Sequence, residues 1–476
     1  MTEHESIHYL TLGELASRLE SRVISPVEVT RQMLERIDRL DGSFNSYTTV
    51  LPESALETAR QAEDEIGRGS WRGPLHGIPV AVKDLCATKG VRTTCGTRVY
   101  RDWMPDHDAC VIEKLRDAGA VLLGKLAMTE GASSEHHPDV APPQNPWDAA
   151  RWTGVSSSGS SVATAAGLCF AALGSDTGGS IRCPSACCGL VGLKPTYGLV
   201  SCYGVFPLAP SLDHVGPMTR STRDAACMLQ SLAGFDARDP ASLRGPVPDY
   251  LGSIGSGIQG IRIGLDESYV LPGTDPEVVD ALRRALDVLS DLGAVVVELV
   301  MPALDDVLRD FPNLSYVESS LAHESTFPAR ADEYGPALRA QLEAGAKVSG
   351  MAHARAEQRR RRFSAELASC FEDVDLIACP GFQTPAPLLS KLPHQVDDPS
   401  WQDLIKFTAP YDYSGSPTLS VPDGFSSEGL PLSLQLVARH REESLLFRAG
   451  HAFEQATDWH THHPPEPAHS MRSPTS

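Results

Sequence analysis

Apolar and polar positions follow two rhythms along the chain, and the change of rhythm divides it. Over residues 1–70 the apolar positions recur at helical spacing. Val29, Met33, Leu34 and Ile37 share one helix face. Ser25-Pro26-Val27-Glu28 opens that helix as a capping box with proline at the first helical position, and Gly42 closes it. A second helix is predicted over 52–66. From 71 to 230 the pattern changes to short unbroken apolar runs set among Gly and Ser. Residues 78–82 and 120–124 read as buried strands, with a helix over 109–118 between them. Residues 162–172 read as a small-residue helix, and 171–175 as holding a short strand before a Thr-Gly-Gly turn. The Gly, Pro and Asp content of 234–260 reads as a surface excursion. Beyond it the pattern predicts strands at 261–265, 294–300, 376–378, 419–421 and 432–437, and helices at 275–292, 345–371 and 442–456. Strands alternating with helices imply an α/β fold, a mixed central sheet covered by helices on both faces. One large unit over 1–461 is expected: N-terminal helices 1–70, a core at about 71–230, and a C-terminal sheet-and-helix portion at 260–461. The stretch 462–476, with its His-His-Pro-Pro-Glu-Pro run, reads as a disordered tail.

Composition narrows the function classes. The 476 residues are 41% hydrophobic and 21% charged, the balance of an ordinary globular protein. A net charge of −20 argues against a nucleic-acid partner, which needs a basic surface. Eleven cysteines, an odd number with Cys187 and Cys188 adjacent, make a poor disulfide framework and fit reduced thiols in the cytosol. Cys183 and Cys187 have no second pair at zinc-ligand spacing and read as small buried hydrophobes, so no metal is expected. The acidic, polar N-terminus is unlike a signal peptide, and no run of about 18 apolar residues suggests a membrane partner. A cytoplasmic location follows. The Arg359-Arg360-Arg361-Arg362 run reads as a solvated helix face rather than an anion site.

The candidate chemistry lies between 83 and 182. Residues 174–182 read Gly-Ser-Asp-Thr-Gly-Gly-Ser-Ile-Arg, and Ser156, the first of a serine cluster, stands 24 residues before Ser180. A Gly-Gly turn admits close approach to a ligand, and backbone N–H groups near a helix start suit a developing oxyanion. A serine hydroxyl needs a base. No Gly-x-Ser-x-Gly elbow is present, and His136, His137 and His214 form no triad pattern. Lys83, at the end of an apolar strand, is the other candidate. Burial would lower its pKa and leave it neutral.

These blocks resemble the amidase signature family. The likeness rests on Gly154 to Gly204: the serine cluster, an Ala-rich helix, the Asp-x-Gly-Gly-Ser-x-Arg loop and Gly192-Leu193-Lys194-Pro195-Thr196. It extends to His76-Gly77-Ile78-Pro79 through Lys83-Asp84, Gly124-Lys125, Asn145-Pro146-Trp147, Ser211 to Pro217, and Gly429-Leu430-Pro431 with Gln435. The resemblance implies Ser180 as nucleophile, Ser156 on a cis peptide as proton relay, and Lys83 as ultimate base. It implies an oxyanion hole from the N–H groups of Thr177, Gly178, Gly179 and Ser180, an acyl pocket at Ala132 and Ser133, and no cofactor. Asp176 and Arg182 would brace the loop. Val155 and Ser158 stand where the family has glycine, and Ser157 rivals Ser156 for the relay. The implied activity is hydrolysis of a small organic amide (acyl-amide or anilide, carbamate or urea-like compound) by a stand-alone enzyme, with a homodimer left open. The alternatives are the amidase subunit of a tRNA-dependent amidotransferase and an inactive binding protein. Residues 334–363 resemble stand-alone amidases and lack an Arg-Arg-Ile-x-Leu-Gly-Thr-like block, and the presence of Lys83, Ser156 and Ser180 disfavours the inactive form.

Overall fold

The apolar runs become the strands of a single sheet in the computed structural model, which describes residues 7–392 and 403–467. In chain order they are β1 (Tyr47–Val50), β2 (Pro79–Lys83), β3 (Val121–Leu126), β4 (Ala171–Asp176), β5 (Val191–Lys194), β6 (His214–Thr219), β7 (Arg262–Leu265), β8 (Val295–Glu298), β9 (Leu376–Pro380), β10 (Thr418–Phe425) and β11 (Pro431–Ala438). They form one 11-stranded sheet in the order β1-β3-β2-β4-β6-β5-β10-β11-β9-β7-β8. The sheet is mixed. β2 runs parallel to β3 and β4, and β7 parallel to β8 and β9, while the central strands from β4 through β6, β5, β10 and β11 to β9 pair antiparallel. Every residue of β2, β4 and β11 is buried, on both pleat faces, as a sheet covered on both sides requires. Among the described residues no helix is long and apolar enough to cross a membrane.

Several expectations shift. The small-residue helix covers Ser158–Ala165, earlier than 162–172, and the chain then enters β4. β1, β5 and β6 carry no apolar run long enough to announce them. The 345–371 helix begins later, at Gly350, and runs to Cys370, with Ser349 capping it by accepting from the Ala352 N–H, while a separate helix, Pro336–Gly345, precedes it. The excursion at 234–260 is anchored by buried Tyr250, Ile254 and Ile258. Residues 462–467 are packed rather than loose. His463 stacks on Tyr9 with ring centroids 3.8 Å apart, and Glu466 pairs with the buried Arg36. The remainder of that stretch, 468–476, lies outside the described residues.

The arginine run is also not a plain solvated face. Arg359 pairs with Asp310, Arg362 with Asp306, and Arg360 donates to the carbonyls of Ser211 and Tyr413. These contacts tie helix Gly350–Cys370 to helix Asp305–Ala322 and to the loop before β6.

The topology brings the serine cluster to the lysine. Lys83 ends β2 and Ser175-Asp176 ends the adjacent parallel β4, so both emerge at the carboxyl edge where α/β sheets place their sites. Helix Ser158–Ala165 starts against the backbone of β3. A Cβ at Gly159 would fall 2.5 Å from the Ala127 N, the Ala127 O and the Ser46 O. Gly159→Ala is therefore expected to push the start of that helix off the sheet. It should lower stability by about 1–3 kcal/mol and displace Ser156, read as an earlier denaturant midpoint together with lost activity.

Candidate active site

Lys83 is fully buried, and its ammonium group is surrounded by hydroxyls. Nζ lies 2.6 Å from Ser156 Oγ, 2.9 Å from Ser157 Oγ and 2.9 Å from Ser175 Oγ. Burial pushes its pKa down to about 7, against the partial support of the Asp176 charge. A neutral amine has two N–H donors and one lone pair, which suits three hydroxyls if one of them donates. Ser157 is not free to be that one. Its hydroxyl donates to the Ser175 carbonyl at 3.1 Å and accepts from the Ser175 N–H at 3.2 Å. Ser156 follows a cis peptide bond from Val155, whose side chain packs with Trp152 and Cys183.

The loop carrying Ser180 is set by Asp176 and Arg182. The Asp176 carboxylate accepts from the Gly179 N–H at 2.6 Å and the Ile181 N–H at 3.0 Å. Arg182 Nε and Nη2 each reach it at 2.9 Å, a bidentate pair with both residues fully buried. Burial alone would raise the Asp176 carboxyl, but Arg182 outweighs it and holds the group far below the usual carboxylate range. Arg182 then crosses to the C-terminal part of the chain. Nη2 donates to Asp412 Oδ2 at 2.6 Å, and Nη1 to the Thr408 carbonyl at 3.0 Å and Gln435 Oε1 at 3.4 Å. Asp176 and Arg182, expected to brace the loop, are thus bonded to each other, to the loop backbone and to the C-terminal part of the chain.

Of the four backbone N–H groups expected to form an oxyanion hole, that of Gly179 is engaged by Asp176. The N–H groups of Thr177, Gly178 and Ser180 have no partner among the described residues. Thr177 is held through its hydroxyl, which donates to Asp213 Oδ1 at 2.6 Å. Ser180 sits on the wall of a cavity of about 840 Å³ together with Thr177, Gly178 and Gly179. Its hydroxyl makes no hydrogen bond to Ser156 among the described residues. Catalytic hydrogen bonds commonly close only when substrate is seated.

Ala132 and Ser133 line the same cavity, but the Ser133 hydroxyl is spent on Gln341 Oε1 at 2.7 Å, tying the wall to helix Pro336–Gly345. The same lining carries the apolar side chains of Trp152, Leu308, Phe311 and Ile405. Gly178 allows close approach here, since a Cβ on it would meet Phe311 Cζ at 2.7 Å. The charged side chains on the lining are Glu135, Glu343 and Lys347.

Of the histidines, His136 Nε2 lies 3.2 Å from Ser158 Oγ, while buried His214 bonds to the Leu212 carbonyl and stands 3.2 Å from Lys194 Nζ. All eleven cysteines are unbonded, and nine are buried. Sequence reasoning missed Ser175, Asp213, Thr408 and Asp412. Ser175 left a signal, a hydroxyl near the end of an otherwise apolar buried strand, and Asp213 lies within the Ser211 to Pro217 block. Thr408 and Asp412 come from the short helix Ala409–Ser414 and its N-terminal edge, whose approach no local pattern announces.

A family model described as Amidase matches residues 28–447. Putative amidase AmiD of Mycobacterium tuberculosis is 44% identical over 464 residues, covering 97% of this chain and 97% of that one. A glutamyl-tRNA(Gln) amidotransferase subunit of Geobacter sp. (strain M21) is 39% identical over 478 residues, covering 95% of this chain and 98% of that one. The solved structure of a bacterial aryl acylamidase of the amidase signature enzymes superposes with a TM-score of 0.86 at 26% identity, over 96% of this chain and 98% of that one. With the family model matching residues 28–447 and the fold superposing over 96% of the chain, the chain belongs to the amidase signature family.

Proposed function

We propose that the protein is a stand-alone amidase that cleaves the C–N bond of a small uncharged amide through an acyl-enzyme on Ser180. The observation that carries this reading is the hydroxyl cage around Lys83, a buried amine with its pKa pushed down to about 7 and the Ser156 hydroxyl as its shortest contact, 2.6 Å away. Ser180 Oγ attacks the carbonyl carbon while its proton passes to Ser156, and the Ser156 proton passes to Lys83. The carbonyl oxygen gathers negative charge toward the N–H groups of Gly178 and Ser180, with Thr177 beside them. The tetrahedral species collapses, the C–N bond breaks, and Lys83 returns its proton through Ser156 to the leaving nitrogen. Water then attacks the acyl ester by the same relay, releasing the carboxylic acid and free Ser180. No step calls on a metal or organic cofactor.

The apolar cavity supports an acyl-amide or anilide, with carbamates and urea-like compounds open to the same chemistry. Its described lining sets two glutamates against one lysine, Lys347, with no arginine for a bidentate grip on the carboxylate of a glutamine donor, which favours the stand-alone reading over the amidotransferase subunit despite the similarity in sequence. Eleven unbonded thiols support a reducing, cytoplasmic setting.

Ser180→Ala should lower kcat toward an anilide by at least ~10⁴, and Lys83→Met by about 10²–10⁴, with both proteins folded by circular dichroism. Full activity in Ser180→Ala would sink the mechanism. Lys83 is inactive as a base while protonated, so kcat/KM should climb as pH rises through about 7 and level off above it. A flat profile across that range would contradict the assignment of the base. The purified chain alone should hydrolyse an uncharged anilide and leave glutamine essentially untouched, as followed by arylamine and ammonia release. The reverse preference would favour the amidotransferase reading.

A further inference from the structure

The peptide group between Gly178 and Gly179 is gripped at both ends. Its N–H donates to Asp176 Oδ1 at 2.6 Å, and its carbonyl accepts from Thr408 Oγ1, also at 2.6 Å. A peptide is planar, so two grips fix its rotation. The N–H groups of Gly178 and Ser180 belong to the two neighbouring peptide groups, each joined to this one through a single glycine Cα.

Thr408 is itself held in place. It is fully buried, its carbonyl accepts from Arg182 Nη1 at 3.0 Å, and its N–H donates to the Ile405 carbonyl at 3.0 Å. Its hydroxyl has a second, poorer acceptor, the Ile405 carbonyl at 3.3 Å, so the short bond to Gly178 is the favoured one. Gly179 is what lets the threonine come so near. Its φ is +132°, and a Cβ there would meet Thr408 Oγ1 at 2.6 Å and Cys183 Sγ at 2.8 Å. Leu404 and Ile405, just before Thr408, line the substrate cavity. One short segment therefore touches the cavity and holds the loop.

We infer that Thr408 is a positioning residue whose hydroxyl aims the oxyanion donors of the Ser180 loop; this rests on the reading of Ser180 as nucleophile. Its contribution belongs to the tetrahedral state and not to ground-state binding.

Thr408→Val keeps the branched shape and removes the hydroxyl, whereas Thr408→Ser keeps the hydroxyl. The valine variant should lose about tenfold in kcat, short of the ~10²–10³ that a whole oxyanion donor is worth, with KM changed less than twofold. Its rate of Ser180 labelling by a fluorophosphonate, a tetrahedral probe, should fall in parallel. The serine variant should recover most of both. Should valine unsettle the fold, as seen in thermal unfolding, Thr408→Ala takes its place in the same comparison. Wild-type kcat and labelling in the valine variant would overturn the inference. So would equal losses in the valine and serine variants, or a change confined to KM. An active Ser180→Ala enzyme would instead remove the nucleophile assignment, so the two failures are distinguishable.

Discussion

The pairing of Arg182 with Asp176 is the constraint on which the rest of the site depends. A carboxylate and a guanidinium with no access to water are tolerable only when each satisfies the other and their remaining polar atoms find partners. Here Asp176 spends its two oxygens on the arginine and on the Gly179 and Ile181 N–H groups, and Arg182 spends its remaining donors on Asp412, Thr408 and Gln435. The geometry of the loop is thus a by-product of neutralising a buried charge. Loss of Arg182 would leave the buried Asp176 carboxylate without its partner, at a cost of about 3–5 kcal/mol, and would release the loop at the same moment.

Lys83 shows the opposite use of burial. It has no carboxylate in contact, only hydroxyls and the more distant field of Asp176, so the low dielectric pushes its proton off. Two cations close to the ends of neighbouring strands thus carry opposite assignments. Arg182 keeps its charge because it is paired, and Lys83 is brought near neutrality because it is not. A strand end supplies the rigidity this needs, since β2 lies between β3 and β4.

Much of this was legible in the sequence. The apolar runs around Val80, Leu122 and Leu434 announced strands because they are buried on both faces, and helical periodicity placed Val29, Met33 and Ile37. The two serines and the Asp-Arg pair could be named because they lie within one contiguous stretch of motif, and the lysine because it closes an apolar strand in a second block. The short strands β5 and β6 escaped because glycine and proline interrupt them, and long-range pairing rather than local pattern makes them strands. The engagement of the Gly179 N–H by Asp176 was also invisible, because a side chain turning back on its own loop has the same sequence as one turning outward. The grip of Thr408 joins residues 230 positions apart, a distance at which periodicity carries no information.

That separation bears on how the enzyme comes into being. Lys83, Ser156 and Ser180 all lie in the first 180 positions, yet the acceptors that seat Arg182 arrive at Thr408, Asp412 and Gln435. A nascent chain therefore carries Lys83, Ser156 and Ser180 long before β10 and β11 close the sheet beside them. Until they do, Arg182 lacks the partners it has in Thr408, Asp412 and Gln435. The buried hydrogen-bond set that braces the Ser180 loop is thus complete only once β11, the last strand, has been made.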